Sequence, residues 1–165
     1  MRRGARVADL GCWPGGWLQV ASALVGPSGR VVGVDLAAIE PPLDLANVVA
    51  LQQDLMQPGV AEAVLETLGG LADALLCDAA PKLTGVRATD RANEETLLGA
   101  VGELVPKLLK PGGNLLLKLM DGPEADAAVR RLRPMFEKVK TVRPEASRKG
   151  TSERYLLGWG YRPTA

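Results

Sequence analysis

The chain has 165 residues, 47% hydrophobic and 24% charged, enough for one soluble globular domain with a substantial core and too few for two. It holds no histidine and only two cysteines, Cys12 and Cys77, which excludes Ser-His-Asp and Cys-His catalysis, imidazole metal ligation and a four-ligand zinc site. The net charge of +1 hides an asymmetry: residues 1–80 carry 4 Lys+Arg against 9 Asp+Glu, whereas residues 81–165 carry 16 against 10, so the basic second half suits an anionic partner.

Short apolar runs alternate with helical patterns along the chain. Arg6–Leu10 reads as a buried strand, and the glycine-rich turn Gly11–Gly16 opens a helix through about Val25. A second strand spans Arg30–Asp35. Pro41 and Pro42 argue against a full crossover helix in 36–47. Val48–Gln52 is a third strand, Val60–Leu68 a short helix ended by two glycines, and Ala72–Cys77 a fourth strand. The longest helical pattern, Asp90–Leu109, stops at Pro111-Gly112-Gly113. Beyond it lie a strand at Asn114–Leu119, a helix at Pro123–Met135, a strand at Lys138–Val142 and a last strand at Glu153–Tyr161.

This alternation predicts an α/β fold with a mostly parallel sheet covered by helices on both faces, within a single domain over residues 1–165. In such sheets ligands sit beyond the carboxyl ends of the strands. Asp35, Asp54 and Asp78 all fall at or just past strand ends, beside the glycine turn. That convergence predicts a nucleotide-like ligand.

The turn Gly11-Cys12-Trp13-Pro14-Gly15-Gly16 lacks the Gly-x-Gly-x-x-Gly spacing that clasps a dinucleotide pyrophosphate. Asp35 suits ribose hydroxyls, and Asp54 either accepts from an adenine amino group or caps the next helix. Acidic groups with no basic residue in the turn favour a cationic cofactor. S-adenosylmethionine, a sulfonium, fits that electrostatic pattern better than a phosphate-bearing cofactor. Trp13 either walls the pocket or covers the turn from outside. Cys12 and Cys77 read as buried thiols.

Asp9–Trp17 resembles the first motif of the FtsJ-type ribose 2′-O-methyltransferases. The resemblance continues, in order, through Leu76–Pro81, Asn114–Lys118 and Ser147–Glu153. It implies a Rossmann-like methyltransferase fold of seven strands with an antiparallel last strand, and S-adenosylmethionine as cofactor. It further implies cofactor contacts at Gly15, Trp17, Asp35, Asp54 and Asp78, with Gly11, Pro14, Gly16, Leu36 and Leu55 completing the expected cofactor site.

The family's catalytic Lys-Asp-Lys-Glu tetrad maps at three positions, Asp78, Lys118 and Glu153. The implied reaction is in-line displacement, a ribose 2′-oxygen attacking the sulfonium methyl group at about 3 Å. Lys118 steers the hydroxyl and takes its proton, Asp78 orients Lys118, and Glu153 positions both. The first tetrad lysine lies upstream of the glycine turn in the family, and only eight residues precede Asp9 here, so no position matches it. Two carboxylates favour the ammonium form of a lysine between them, so the expected rate is slow at neutral pH and rises with pH.

RNA, ribosomal RNA of the large subunit being the family's substrate, is the expected partner. Lys82, Arg148 and Lys149 are the leading phosphate contacts, within a wider basic set that includes Lys110, Arg143 and Arg154. Rival readings are a cofactor-binding relative with little or no activity and a small-molecule O-methyltransferase on the same fold. No metal is expected. No apolar run approaches the ~20 residues that span a bilayer, and a cytoplasmic monomer is the expectation.

Overall fold

The computed structural model describes residues 1–143 and 152–163. Seven strands form one sheet: β1 (Arg6–Leu10), β2 (Arg30–Asp35), β3 (Val48–Gln52), β4 (Ala72–Cys77), β5 (Leu109–Met120), β6 (Phe136–Val142) and β7 (Glu153–Tyr161). Their spatial order is β3-β2-β1-β4-β5-β7-β6. The pairs β3–β2, β2–β1, β1–β4 and β4–β5 are parallel, and β7 runs antiparallel between β5 and β6. This is the mostly parallel sheet with an antiparallel last strand that the sequence implies.

Four helices cover the sheet: α1 (Gly16–Val25), α2 (Val60–Leu68), α3 (Arg87–Leu108) and α4 (Pro123–Leu132). Strand alternation divides the core into two layers. One face of the sheet, with Leu10, Val34, Leu75 and Leu117, packs against α2, α3 and α4. The other, with Val7, Val31 and Leu76, packs against α1 through Leu18, Ala21 and Val25. That spacing of three and four residues is what puts one apolar stripe of α1 on the sheet. Each leucine of this kind that leaves water contributes about 1.5–3 kcal/mol.

The 36–47 segment forms no helix, as its prolines predict. It is fastened instead by side chains. Ser22 Oγ donates to Asn47 Oδ1 at 2.7 Å, and Asn47 Nδ2 donates to the Gly26 carbonyl at 2.9 Å. Ile39 and Leu43 pack onto the α1 side of the core.

Several boundaries differ from the sequence reading, and β6 starts at Phe136 rather than Lys138. Helix α3 starts at Arg87 rather than Asp90. The Asp90 carboxylate accepts hydrogen bonds from the Thr84 and Gly85 N–H groups, at 2.7 and 3.2 Å, and these extend the ordered start by fixing the loop ahead of the helix. Strand β5 begins at Leu109, so Pro111-Gly112-Gly113 lies within the strand as an irregularity, with a shift of register at Ala72/Ala74 opposite. Helix α4 ends at Leu132 and a single 3-10 turn covers Arg133–Met135, because Pro134 has no N–H with which to continue the α-helical ladder. Among the described residues no helix is long and apolar enough to cross a membrane.

Candidate active site

The site is assembled at the carboxyl ends of β1, β2, β3 and β4. Backbone hydrogen bonds lace these ends together. The Gly11 and Cys12 N–H groups both donate to the Val34 carbonyl, at 2.8 and 3.2 Å, and the Asp78 N–H donates to the Leu10 carbonyl at 3.1 Å. The glycine turn is thereby laid across β2 while the loop after β4 is laid against β1. Gly11 stands where they meet. Its φ is +78°, and a Cβ there would lie 2.5 Å from Ala79 Cα, so both the backbone angle and the contact demand glycine. Gly15, at φ +103°, caps α1 in a left-handed conformation with Ile39 and Leu43 against it.

A cavity of about 450 Å³ opens on this rim, lined by Gly11, Trp13, Asp35, Leu36, Asp54, Leu55, Asp78 and Lys82 among others. Eight residues singled out from the sequence alone, Trp13 included, therefore share one cavity wall. Pro14, Gly15, Gly16, Trp17, Lys118 and Glu153 do not line it. Pro14 and Gly16 are exposed on the turn, and Gly15 is buried under it. Trp17 is half-buried, its ring centroid 5.9 Å from that of Tyr155, so it braces α1 against β7.

The acids differ in their surroundings. Asp35 accepts from the Trp13 N–H through Oδ2 and from the Ala37 N–H through Oδ1, both at 2.9 Å. Asp54 accepts from the Met56 N–H at 2.9 Å. Of the two roles left open for Asp54, the helix cap is not the one adopted, since α2 starts only at Val60 with Gly59 as its cap. Asp78 lies beside two groups of the β5–β7 pair. Lys118 Nζ donates to the Asp78 carbonyl at 2.6 Å and stands 3.2 Å from its Oδ1, and the Tyr155 hydroxyl donates to the same Oδ1 at 3.2 Å.

Lys118 is 11% exposed in its side chain. Among the described residues Asp78 is the one carboxylate within ion-pair distance of its amine. Register places Lys118 opposite Tyr155 and Met120 opposite Glu153, so Lys118, Tyr155 and Glu153 occupy one face of the sheet. Glu153 is half-buried there.

Three titratable side chains with shifted pKa values escaped the sequence reading. Asp9, inside the apolar run of β1, is fully buried, and neither carboxyl oxygen has a hydrogen-bond partner among the described residues. Burial, with the nearby charges of Asp78 and Asp35, pushes its pKa from 3.8 up to about 7. Its place at the start of the Asp-Leu-Gly turn was the only sequence signal. Tyr155 is raised to about 12, by burial first and then by Asp78, which keeps its hydroxyl a proton donor. Glu94 on α3 is buried, accepts from the Met120 N–H at 3.3 Å, and is raised above the ordinary carboxylate range mainly by burial. The Cys12 and Cys77 thiols are free, buried and each pushed up to about 12, mainly by burial, which leaves them inert.

Of the predicted anion contacts, Lys82 is exposed at the cavity mouth. Arg148 and Lys149 lie outside the described residues. Arg143 pairs with Asp121, and Arg154 with Asp121 and Asp126. Lys110 pairs with Asp73 at the opposite end of the sheet, away from the cavity.

A cationic ligand fits this donor set. The cavity sets the Asp35, Asp54 and Asp78 carboxylates among mainly apolar side chains, and burial, with the charges of Asp78 and Asp35, disfavours the charged form of the nearby Asp9.

Comparison with known proteins agrees with that chemistry. A family profile described as FtsJ-like methyltransferase matches residues 1–161. The chain is 40% identical over 158 residues to ribosomal RNA large subunit methyltransferase E of Methanothermobacter thermautotrophicus, covering 96% of this chain and 74% of that one. Among solved structures, a ribosomal RNA methyltransferase from Plasmodium falciparum superposes with a TM-score of 0.80 at 21% identity, over 99% of this chain and 90% of the other. Aeropyrum pernix fibrillarin, solved with natively bound S-adenosyl-L-methionine, gives 0.70 at 18% identity, over 95% and 67%. The two structures bear on the fold. The profile and the sequence relative establish descent: the chain belongs to the FtsJ-like methyltransferase family.

Proposed function

We propose that this FtsJ-like methyltransferase moves a methyl group from S-adenosylmethionine to a ribose 2′-hydroxyl of RNA, with large-subunit ribosomal RNA as the substrate class. The observation that carries the reading is the acid-lined cavity, with the unpartnered Asp9 behind it and the Lys118–Asp78 pair at its edge. When bound, the cofactor supplies a methyl carbon activated by a positively charged sulfur. Everything else is the work of this chain's side chains.

Asp35 has lone pairs left for ribose hydroxyls after accepting two backbone N–H groups. Asp54 and the apolar Leu36 and Leu55 suit an adenine with its exocyclic amine. Gly11 lets the backbone approach the ligand, and the Gly15–Gly16 turn with Trp17 holds that backbone in place. Pro14 stiffens the same turn.

Lys118 steers the acceptor hydroxyl and receives its proton. Asp78, itself held by the Tyr155 hydroxyl, keeps the amine in place, and Glu153, on the same face of the sheet, orients the hydroxyl. Proton transfer of this kind is worth roughly 10²–10⁴-fold in rate, and alignment supplies much of the rest. Lys82, with Arg148 and Lys149, contacts RNA phosphates. Affinity for RNA then falls by about 0.7–0.9 log units per neutralised phosphate per decade of salt.

The test is transfer of labelled methyl groups from S-adenosylmethionine to undermodified large ribosomal subunits, with Lys118→Ala as the control. The expected result is labelling by the parent protein and its loss in the variant with cofactor binding retained. Equal labelling by both proteins overturns the assignment of Lys118. Cofactor binding with no labelling of any RNA favours the inactive-relative reading.

A further inference from the structure

Trp13 stands on the cavity wall, and neither the acids nor the lysine chemistry explains it. Trp13 is 58% exposed, although its ring is among the largest apolar surfaces in the chain, and it nevertheless lines the cavity. Its backbone N–H donates to Asp35 Oδ2 at 2.9 Å, so the indole departs from the chain beside the carboxylate assigned to ribose. Leu36 and Met56, 68% and 53% exposed, line the same cavity.

Three exposed apolar side chains thus gather around two carboxylates, Asp35 and Asp54. Apolar flats with acceptors between them match a nucleoside, which offers a π-face together with hydroxyl and amino donors. Trp17 contrasts with Trp13. It is half-buried against Tyr155, where packing alone accounts for it.

We propose that the Trp13 indole is the outer wall of the cofactor cleft and packs on the nucleoside half of the bound cofactor. The inference rests on the methyltransferase reading above and assigns a residue and a contact within it. An aromatic wall exchanges a solvated ring for a stacked one only when ligand is present. It therefore slows release of the cofactor without contributing to the stability of the empty protein.

The experiment is equilibrium binding of S-adenosylhomocysteine and of 5′-methylthioadenosine, which lacks the amino-acid half, to the parent protein, Trp13→Ala and Trp13→Phe. Aromatic–base stacking sets the expected size: the alanine variant weakens both ligands by at least about fivefold and by similar factors. The phenylalanine variant stays within about threefold of the parent. The melting temperature without ligand is unchanged in both variants, as suits an exposed side chain.

A Trp13→Ala affinity within twofold of the parent for S-adenosylhomocysteine overturns the proposal while leaving the methyltransferase reading intact. So does weakening confined to S-adenosylhomocysteine, which would put the indole on the amino-acid half. Failure of the parent protein to bind either ligand removes the cofactor reading itself, and this inference with it.

Discussion

Two aspartates on adjacent strands, at opposite ends of the sheet, show how the molecule separates stability from function. Asp73, at the start of β4, accepts from the Arg6 N–H at 2.8 Å and pairs with Lys110 and Arg2. Burial alone raises its pKa, but the Lys110 and Arg6 hydrogen bonds and the Lys110 charge outweigh that and hold it below its ordinary value. Asp9, in the neighbouring β1, is more deeply buried and has no hydrogen-bond partner among the described residues. Its companions are other acids, and it is pushed up to about 7. At one end of the sheet Asp73 is matched by cations of the chain; at the other Asp78 is paired with Lys118, while Asp9 is left without a partner among the described residues.

Breaking the functional end gives the largest effect. Lys118→Ala is expected to lower the methyl-transfer rate by about 10²–10⁴-fold with cofactor affinity nearly unchanged. Single-turnover kinetics on ribosomal subunits measures it. A rate within threefold of the parent would remove lysine from the chemistry.

The next effect is one of stability, opposite in sign at the two ends. Asp9 has a pKa of 3.8 in the unfolded chain and about 7 in the folded one. Between those values the folded state holds the proton and the unfolded state does not. Stability is therefore lost as pH rises through this window, and the penalty is complete above about pH 7. Asp9→Asn removes it, stabilising the ligand-free protein at pH 8 by up to roughly 4 kcal/mol, with little change near pH 4. The same variant is expected to bind the cationic cofactor more weakly. Urea unfolding at the two pH values gives the contrast.

Asp73 behaves in reverse. Its stabilisation is present above the ordinary carboxylate pKa and is lost as pH falls through its lowered folded value. Asp73→Asn is expected to cost about 1–3 kcal/mol at neutral pH, the worth of hydrogen bonds to a charged group, and progressively less in acid. Matching pH dependences in the two variants would dissolve the contrast between the ends. The smallest effect belongs to Arg143→Ala, which breaks a largely exposed pair with Asp121 and is expected to cost less than about 1 kcal/mol in thermal unfolding.

The strands were legible because apolar runs such as Val31–Val34 and Ala74–Cys77 are bounded by charged residues, glycine or proline. Asp35, Asp54 and Asp78 stood out because an acid ending such a run is conspicuous, and the cavity confirms that they share one wall. The start of α3 was hidden because it depends on Asp90 reaching back to Thr84, a contact that no periodicity encodes. Tyr155 was missed for a similar reason. Its bond to Asp78 follows from the antiparallel register of β5 and β7, which brings residues 77 positions apart together. Asp9 is the sharpest case. In one dimension it is a polar residue in a strand; that none of the described residues pairs with it is a property of the packed interior.

The most direct test of a methyl-donor cleft at this rim is calorimetric titration of the protein with S-adenosylmethionine at pH 7, in two buffers of different ionisation enthalpy. The expected result is saturable binding of one cofactor per chain, with release of a fraction of a proton as the cation drives Asp9 into its charged form, and with no such release from Asp9→Asn. Absence of binding, or binding whose proton release persists in Asp9→Asn, would contradict it.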